Sequence, residues 1–400
     1  MKIFFVTSKL NFLTAGGSIE EIDLIIKTLI NLGNEVTVVT AFSSKNKITD
    51  PLPYKVHEEM IKSYRLLSVQ MGVLKILKKY SSRADIFIID AHLFMYGAGF
   101  YRKMGGRVPV VGFFNQFLIC WPQCVSSLFK QPKQNFFNLA KGKIRWWLEK
   151  YVGMRLANSL DYFAFVSPAL MAMYKEFGIR NNHKCLVLGD PVDIKKIMEE
   201  NKITPNSYRL RNKKTGSINL FFSSRMSPGK GFDILLAGFS KIKNKENFRL
   251  ILGGSGPEEK QVRKMVEDLG LQKYVTIPGW VTKEQLYRYY SEADIFIQAD
   301  WWLAGTSISL YYAMAFGVPS ILPGGGGLEW QAKNSALYFK RRDLNDLANK
   351  IEQLAGDYEL RAELSRQCYE RLNEDEMNYK ENIAELNRRM EKAINLKQEI

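Results

Sequence analysis

Two cations, Arg225 and Lys230, stand in Ser223-Ser-Arg-Met-Ser-Pro-Gly-Lys-Gly231, a loop bent by proline and glycine directly after an apolar run. Arginine can fork two phosphate oxygens and lysine supplies a compact point charge, so the pair suits a diphosphate. The spacing is not that of a Walker A loop. Either cation alone reads equally well as solvated surface charge. Residues 298–330, QADWWLAGTSISLYYAMAFGVPSILPGGGGLEW, offer a complementary feature. Ala304-Gly305-Thr306-Ser307 interrupts the apolar pattern just before a short buried helix that starts at Ile308. Gly305 lets a ligand approach the backbone, and Thr306 and Ser307 are N-cap types. Free N–H groups at such a helix start attract anions, phosphate above all. The plain alternative is a well-capped core helix. Gly16-Gly17 opens another helix and could bring N–H groups to a phosphate, but without G-x-G-x-x-G it is not an ordinary NAD site.

The elements that must position these residues alternate strand and helix. In the first half, apolar or β-branched strands are expected at 3–6, 35–40, 85–90, 108–113, 163–167 and 184–188, with a helix over 19–32 ending at Gly33. In the second, strands at 218–222, 248–252, 274–277, 294–298 and 320–322 alternate with helices at 232–242, 258–269, 284–291 and 308–316. Gly317 takes the helix C-cap place and Pro319 prevents continuation. Such alternation predicts α/β domains with doubly wound parallel sheets, which bind ligands beyond the carboxyl ends of their strands. The expected division is a first domain over 1–200, a polar linker over 201–216 and a second domain over 217–378. The tail from Asp343 reads as charged, solvated helix, and its last part, 379–400, as a helix able to pack back on the first domain.

The 400 residues are 46% hydrophobic and 24% charged, a globular composition with room for two or three domains. Cys120, Cys124, Cys185 and Cys368 lack zinc or disulfide-framework spacing, so no metal site is expected and a reducing, cytoplasmic setting fits. No window is apolar for the ~18 residues a membrane span needs. A net charge of +16 favours an anionic partner. Nucleic acid is set aside for want of a recognition motif. Residues 113–152 mix aromatics with bases. Lys141, Lys143, Arg145, Trp146 and Trp147 fall within one or two turns of an expected helix and suit an anionic membrane surface. In the competing reading, those aromatics pack into the first domain and the bases are merely solvated.

Taken together, Ser224-Arg-Met226 with Lys230-Gly231, Gly254-Ser-Gly-Pro257, Pro278-Gly-Trp-Val281, Ala293-Asp294, Ala313-Met-Ala-Phe-Gly-Val-Pro319 and Gly326-Gly-Leu-Glu329 occur in one order. That order resembles the carboxy-terminal domain of the family 4 glycosyltransferases (group 1, glycogen synthase-like). Gly16-Gly17 and Gly33-Asn-Glu-Val-Thr-Val-Val39 resemble their first domain. The resemblance implies a GT-B fold, two Rossmann-like domains facing a cleft. It also implies a retaining, metal-independent transferase, without cofactor, that takes a sugar from a UDP- or GDP-sugar. Carried over, Arg225 and Lys230 would hold the donor diphosphate, Gly16 and Gly17 would approach it, and Gly254 would line the donor site. Trp280 and Val281 would lie against the nucleobase, and Gly305, Thr306, Ser307 and Ile308 would offer N–H groups. Ala304 and Tyr312 stand where the family places two glutamates, and Asn115-Gln116 where it often has His-Asp. Tyr312 is then the expected ribose contact and Asn115 a sugar contact in the catalytic set, with His92 as a further polar contact. The expected acceptor is a lipid-linked saccharide or glycan of envelope polysaccharide or glycolipid synthesis, reached from the inner face of the cell membrane. A catalytically degenerate relative acting as a binding or regulatory partner is the alternative.

Overall fold

A computed structural model of the chain describes residues 1–13, 17–118, 128, 136–211, 216–303 and 305–398. It divides into two compact units: Met1–Gln123, Gln134–Pro191 and Asn378–Ile400 form the first, Cys124–Lys133 and Val192–Met377 the second.

The first unit is built on seven parallel strands: β1 (Lys2–Thr7), β2 (Glu35–Thr40), β3 (Lys55–Glu58), β4 (Ile86–Asp90), β5 (Val110–Phe114), β6 (Tyr162–Phe165) and β7 (Cys185–Val187), in the order β3-β2-β1-β4-β5-β6-β7. Runs such as Ile3-Phe-Phe-Val6 and Ile86-Phe-Ile-Ile89 are buried throughout, as strands covered on both faces must be. β3, Lys55-Val-His-Glu58, was not expected from the sequence. It is an edge strand and only partly buried, and its charged ends suit an edge while hiding it from a search for apolar runs. Helix Gly17–Asn31 buries Ile22, Ile25, Ile26 and Leu29.

The second unit has six parallel strands: β8 (Ile218–Ser223), β9 (Phe248–Gly253), β10 (Val275–Gly279), β11 (Ile295–Ile297), β12 (Ser320–Pro323) and β13 (Ala336–Phe339), in the order β10-β9-β8-β11-β12-β13. Both orders reverse beside the first strand of their sheet, so each sheet has a topological switch point, at β1/β4 and β8/β11. The expected elements are present within three residues of their expected ends, while β13 and helix Gly326–Ala332 were not anticipated.

Residues 201–216, the expected polar linker, contain structure of their own. Ser207–Arg211 is a helix, and fully buried Tyr208 donates its hydroxyl to the Asp294 carbonyl at 2.8 Å. Val192 and Ile197 already pack in the second core. The tail is also more than solvated helix. Leu347, Ile351 and Leu354 are buried in helix Leu344–Gly356, and Arg371, 2% exposed, donates to the carbonyls of Trp330 and Gln331. The last helix, Tyr379–Gln398, belongs to the first unit. There Asn34 donates to Asn387, Asn382 to the Leu188 carbonyl and Arg389 to the Cys185 carbonyl.

Candidate functional site

In the second unit the expected donor residues gather beyond the carboxyl ends of neighbouring strands. Arg225 and Lys230 follow β8, Gly254 follows β9, Trp280 and Val281 follow β10, and Gly305 to Ile308 follow β11. The β8 loop is folded on its own glycines. Gly231 has φ +75°, caps helix Phe232–Phe239, and lies so near the next loop that a Cβ would sit 2.0 Å from the Ala299 carbonyl oxygen. Gly254, at φ +112°, allows the same approach to the Ser224 carbonyl. The Gly254 N–H donates to the Gly279 carbonyl at 2.8 Å, joining the β9 and β10 ends. Arg225 is exposed, and its guanidinium has no hydrogen-bond partner among the described residues. The Trp280 indole, 59% exposed, is an open apolar plate, with Val281 half-buried beside it.

Ser307 is the N-cap of helix Ile308–Ala315 and accepts from the Leu310 N–H. The helix ends as its sequence requires: the Gly317 N–H donates to the Met314 carbonyl and the Val318 N–H to that of Ala313, with Gly317 at φ +64°. The expectation that Ser307 offers its own N–H to a ligand needs correction. That N–H donates to Gln331 Oε1 at 2.9 Å, and Gln331 Nε2 donates back to the Ser307 carbonyl at 2.9 Å. The N–H groups of Gly305, Thr306 and Ile308 have no acceptor among the described residues, so the anion-binding capacity of the turn lies with them. Tyr312 is half-buried with its ring edge-on to Tyr287 and Tyr290. Gly16 and Ala304 lie outside the described residues.

Three residues missed by sequence reasoning organise this edge. Gln331 fixes the turn before the helix. Asp300, 6% exposed, reaches Lys230 Nζ at 3.3 Å, and burial pushes its carboxyl up despite Lys230, Gln298 and Arg341. Arg341 donates to the carbonyls of Asp300, Gly324 and Gly325, and burial lowers the pKa of its guanidinium. An aspartate straight after a buried strand was the one signal available. Gln331 and Arg341 carry none, because their partners are distant in sequence.

The first unit holds a separate polar group at its own switch point. Gly17 begins the helix after β1. His92 stands in the first turn of helix Ala91–Lys103, with Nδ1 2.8 Å from Asp90 Oδ1. Asn115 follows β5 and donates to Glu21 at 3.2 Å, while its Oδ1 is buried with no hydrogen-bond partner among the described residues. Glu21 is held well above the ordinary carboxylate range by burial, with Asp190, Asp90 and Glu20 adding and the Asn115 hydrogen bond opposing.

The basic and aromatic stretch forms helix Phe136–Leu148, continued by a wider turn over Glu149–Gly153. Lys141, Lys143 and Trp147 are exposed. Two other expected membrane contacts face the protein. Arg145 pairs at 2.5 Å with buried Glu149, which also accepts from Tyr96, and Trp146 packs edge-on to Phe177 at 6.0 Å. The exposed apolar side chains are Ile144, Trp147, Leu148, Tyr151 and Val152, at the steps of three and four that make one helical face. Among the described residues no helix is long and apolar enough to cross a membrane.

Residues 206–371 match the family Glycosyl transferases group 1 and residues 16–196 match Glycosyltransferase Family 4. A GDP-mannose-dependent alpha-(1-6)-phosphatidylinositol monomannoside mannosyltransferase of Mycobacterium tuberculosis is 29% identical over 143 residues, 34% of this chain and 37% of the relative. The chain therefore matches only about a third of the length of that curated relative. An alpha-monoglucosyldiacylglycerol synthase of Acholeplasma laidlawii is 21% identical over 67% of each chain. Among solved structures, Anabaena HepE in complex with UDP and glucose superposes with a TM-score of 0.69 at 18% identity, covering 97% of this chain and 99% of that one. At that identity the likeness speaks for the two-sheet fold alone.

Proposed function

Since the chain belongs to the group 1, family 4 glycosyltransferases and has their GT-B fold, we propose that it moves a sugar from a nucleoside diphosphate sugar to a hydroxyl acceptor, with retention. One observation carries this reading: an exposed arginine, a lysine and open backbone N–H groups share the carboxyl edge of one parallel sheet. Arg225 and Lys230 take the diphosphate, and the N–H groups of Gly305, Thr306 and Ile308 add donors to phosphate or sugar. Trp280 and Val281 take the base, and Tyr312 lies on the ribose side. As the sugar C1–O bond to the diphosphate breaks, its charge meets fixed donors that need no reorganisation. The acceptor oxygen bonds to C1 from the same face, and its proton passes to the departing phosphate oxygen. That route needs no protein carboxylate at positions 304 or 312. The cation role is filled by side chains, so transfer proceeds without a metal.

The acceptor is a lipid-linked saccharide or glycolipid, worked on at the inner face of the cell membrane. The relatives from Mycobacterium tuberculosis and Acholeplasma laidlawii are named for a phosphatidylinositol monomannoside and a monoglucosyldiacylglycerol, both glycolipids, in keeping with this. So is the apolar face from Ile144 to Val152, rimmed by exposed Lys141, Lys143 and Arg155, which suits an anionic bilayer surface.

The test is release of nucleoside diphosphate from a panel of UDP- and GDP-sugars, first UDP-glucose and GDP-mannose, with anionic vesicles carrying glycolipid. Transfer or slow hydrolysis of one donor is expected. Tight nucleotide binding with neither would replace this reading by that of a non-catalytic binding protein.

A further inference from the structure

Asp300 lies in the loop after β11 and is buried, yet it carries a carboxylate beside the lysine of the loop after β8. The two loops are laced together around this pair. The Trp301 N–H donates to the Gly229 carbonyl at 2.9 Å, and the Trp301 indole N–H donates to Asp233 at 3.2 Å. Gly231 abuts the Ala299 carbonyl closely enough to exclude any Cβ. Arg341 Nη1 holds the Asp300 carbonyl at 3.2 Å while its other nitrogens hold Gly324 and Gly325, so one guanidinium ties together the loops after β11 and β12.

Burying a carboxylate is costly unless it is fully paired, and a pair kept only for stability is commonly matched by apolar packing. Lys230 does not occupy both oxygens of Asp300: Oδ1 is buried and has no partner at hydrogen-bond distance among the described residues. Lys230 is also not consumed by the contact, because its side chain is 32% exposed and an ammonium has three donors. Arg341 binds the Asp300 main-chain carbonyl, and its charge also acts on the carboxylate, so Lys230 does not have to neutralise Asp300 unaided.

We infer that Asp300 is a positioning residue, holding the Lys230 ammonium so that its remaining donors meet the donor diphosphate. The inference rests on the transferase reading above. Asp300 takes no part in bond making; it fixes a flexible four-carbon stem that would otherwise lose rotamer freedom on binding. Position 300 thereby supplies a carboxylate to an edge whose positions 304 and 312 are alanine and tyrosine.

The experiment titrates wild type, Asp300→Asn, Lys230→Ala and the double variant with UDP, GDP and inorganic pyrophosphate by calorimetry at pH 7.5, and records melting temperatures. Asp300→Asn is expected to weaken the bound anion about tenfold without lowering the melting temperature, and the double variant to bind no worse than Lys230→Ala alone. Asp300→Ser is the second variant should the amide not fold. Wild-type affinity in Asp300→Asn, or losses that add in the double variant, would overturn the inference. Wild-type binding of pyrophosphate without either nucleotide, weakened in the same pattern, would leave Asp300 as assigned and count against the transferase reading. Binding of none of the three would overturn both.

Discussion

Arg225 and Lys230 could be read from sequence because their loop is local: proline and glycines bend it, and a strand ends just before it. Lys230→Ala is expected to weaken nucleoside diphosphate binding by about 1.5–3 kcal/mol, the range for a hydrogen bond to a charged group, as calorimetry would show. Asp300, Gln331 and Arg341 were not legible in the same way. Each acts on a partner in another loop, and nothing in a linear sequence records that Arg341 and Gly324 meet. Gly231 is a sharper case of a role visible only in three dimensions. Alanine there would meet both a left-handed backbone and the Ala299 oxygen. Gly231→Ala should cost on the order of 1–3 kcal/mol of stability in urea unfolding, and nucleotide affinity should fall with it as the lysine loop shifts.

Among the elements, helix Phe136–Leu148 shows what periodicity reveals and what it leaves open. Its composition announced an interface, yet Trp146 and Trp147 are neighbours with opposite fates. One packs on Phe177 and the other faces outward, a distinction set by a partner thirty-one positions away. Binding to anionic vesicles is therefore expected to depend on Trp147, Leu148, Lys141 and Lys143. Replacing Lys141 and Lys143 by glutamate should shift the protein from pellet to supernatant in vesicle sedimentation, at about 1 kcal/mol per base removed. Added salt should do the same to wild type, and nucleotide binding should persist in the variant. Arg145→Glu belongs to a different class. It strands buried Glu149 beside a second carboxylate, so its first effect should be a lower melting temperature. The helix start at Ile308 offers a parallel lesson. Its N-cap serine was readable, but the loss of the Ser307 N–H to Gln331 was not.

Stability against pH is a property of the whole molecule, and its carboxylates pull in opposite directions. For Glu376 burial acts upward, but hydrogen bonds from Lys333 and Arg371 outweigh it and hold the pKa at about 2. Its folded value lies below its unfolded one, so its contribution is present above about pH 4.5 and is lost as pH falls toward 2. Glu376→Gln should lower the melting temperature at neutral pH and converge on wild type in acid. Asp300 is raised by burial, so the sign reverses: Asp300→Asn should melt higher than wild type at pH 7, and the gap should close as pH falls through its folded pKa. Transfer activity is expected to survive a chelator; activity lost and then restored by magnesium would show that a metal carries the diphosphate instead. Apart from β3 and β13, the strands of the two parallel sheets were legible because they are largely apolar runs, whereas the return of the last helix to the first unit depends on contacts such as Asn34 with Asn387. That return makes Val192–Met377 an insertion within the first unit. On a ribosome the first sheet would be made early yet lack Ile383, Leu386 and Met390 until helix Tyr379–Gln398 emerges. The inserted unit would be ready to fold sooner, so of the two sheets the one made earlier is completed later.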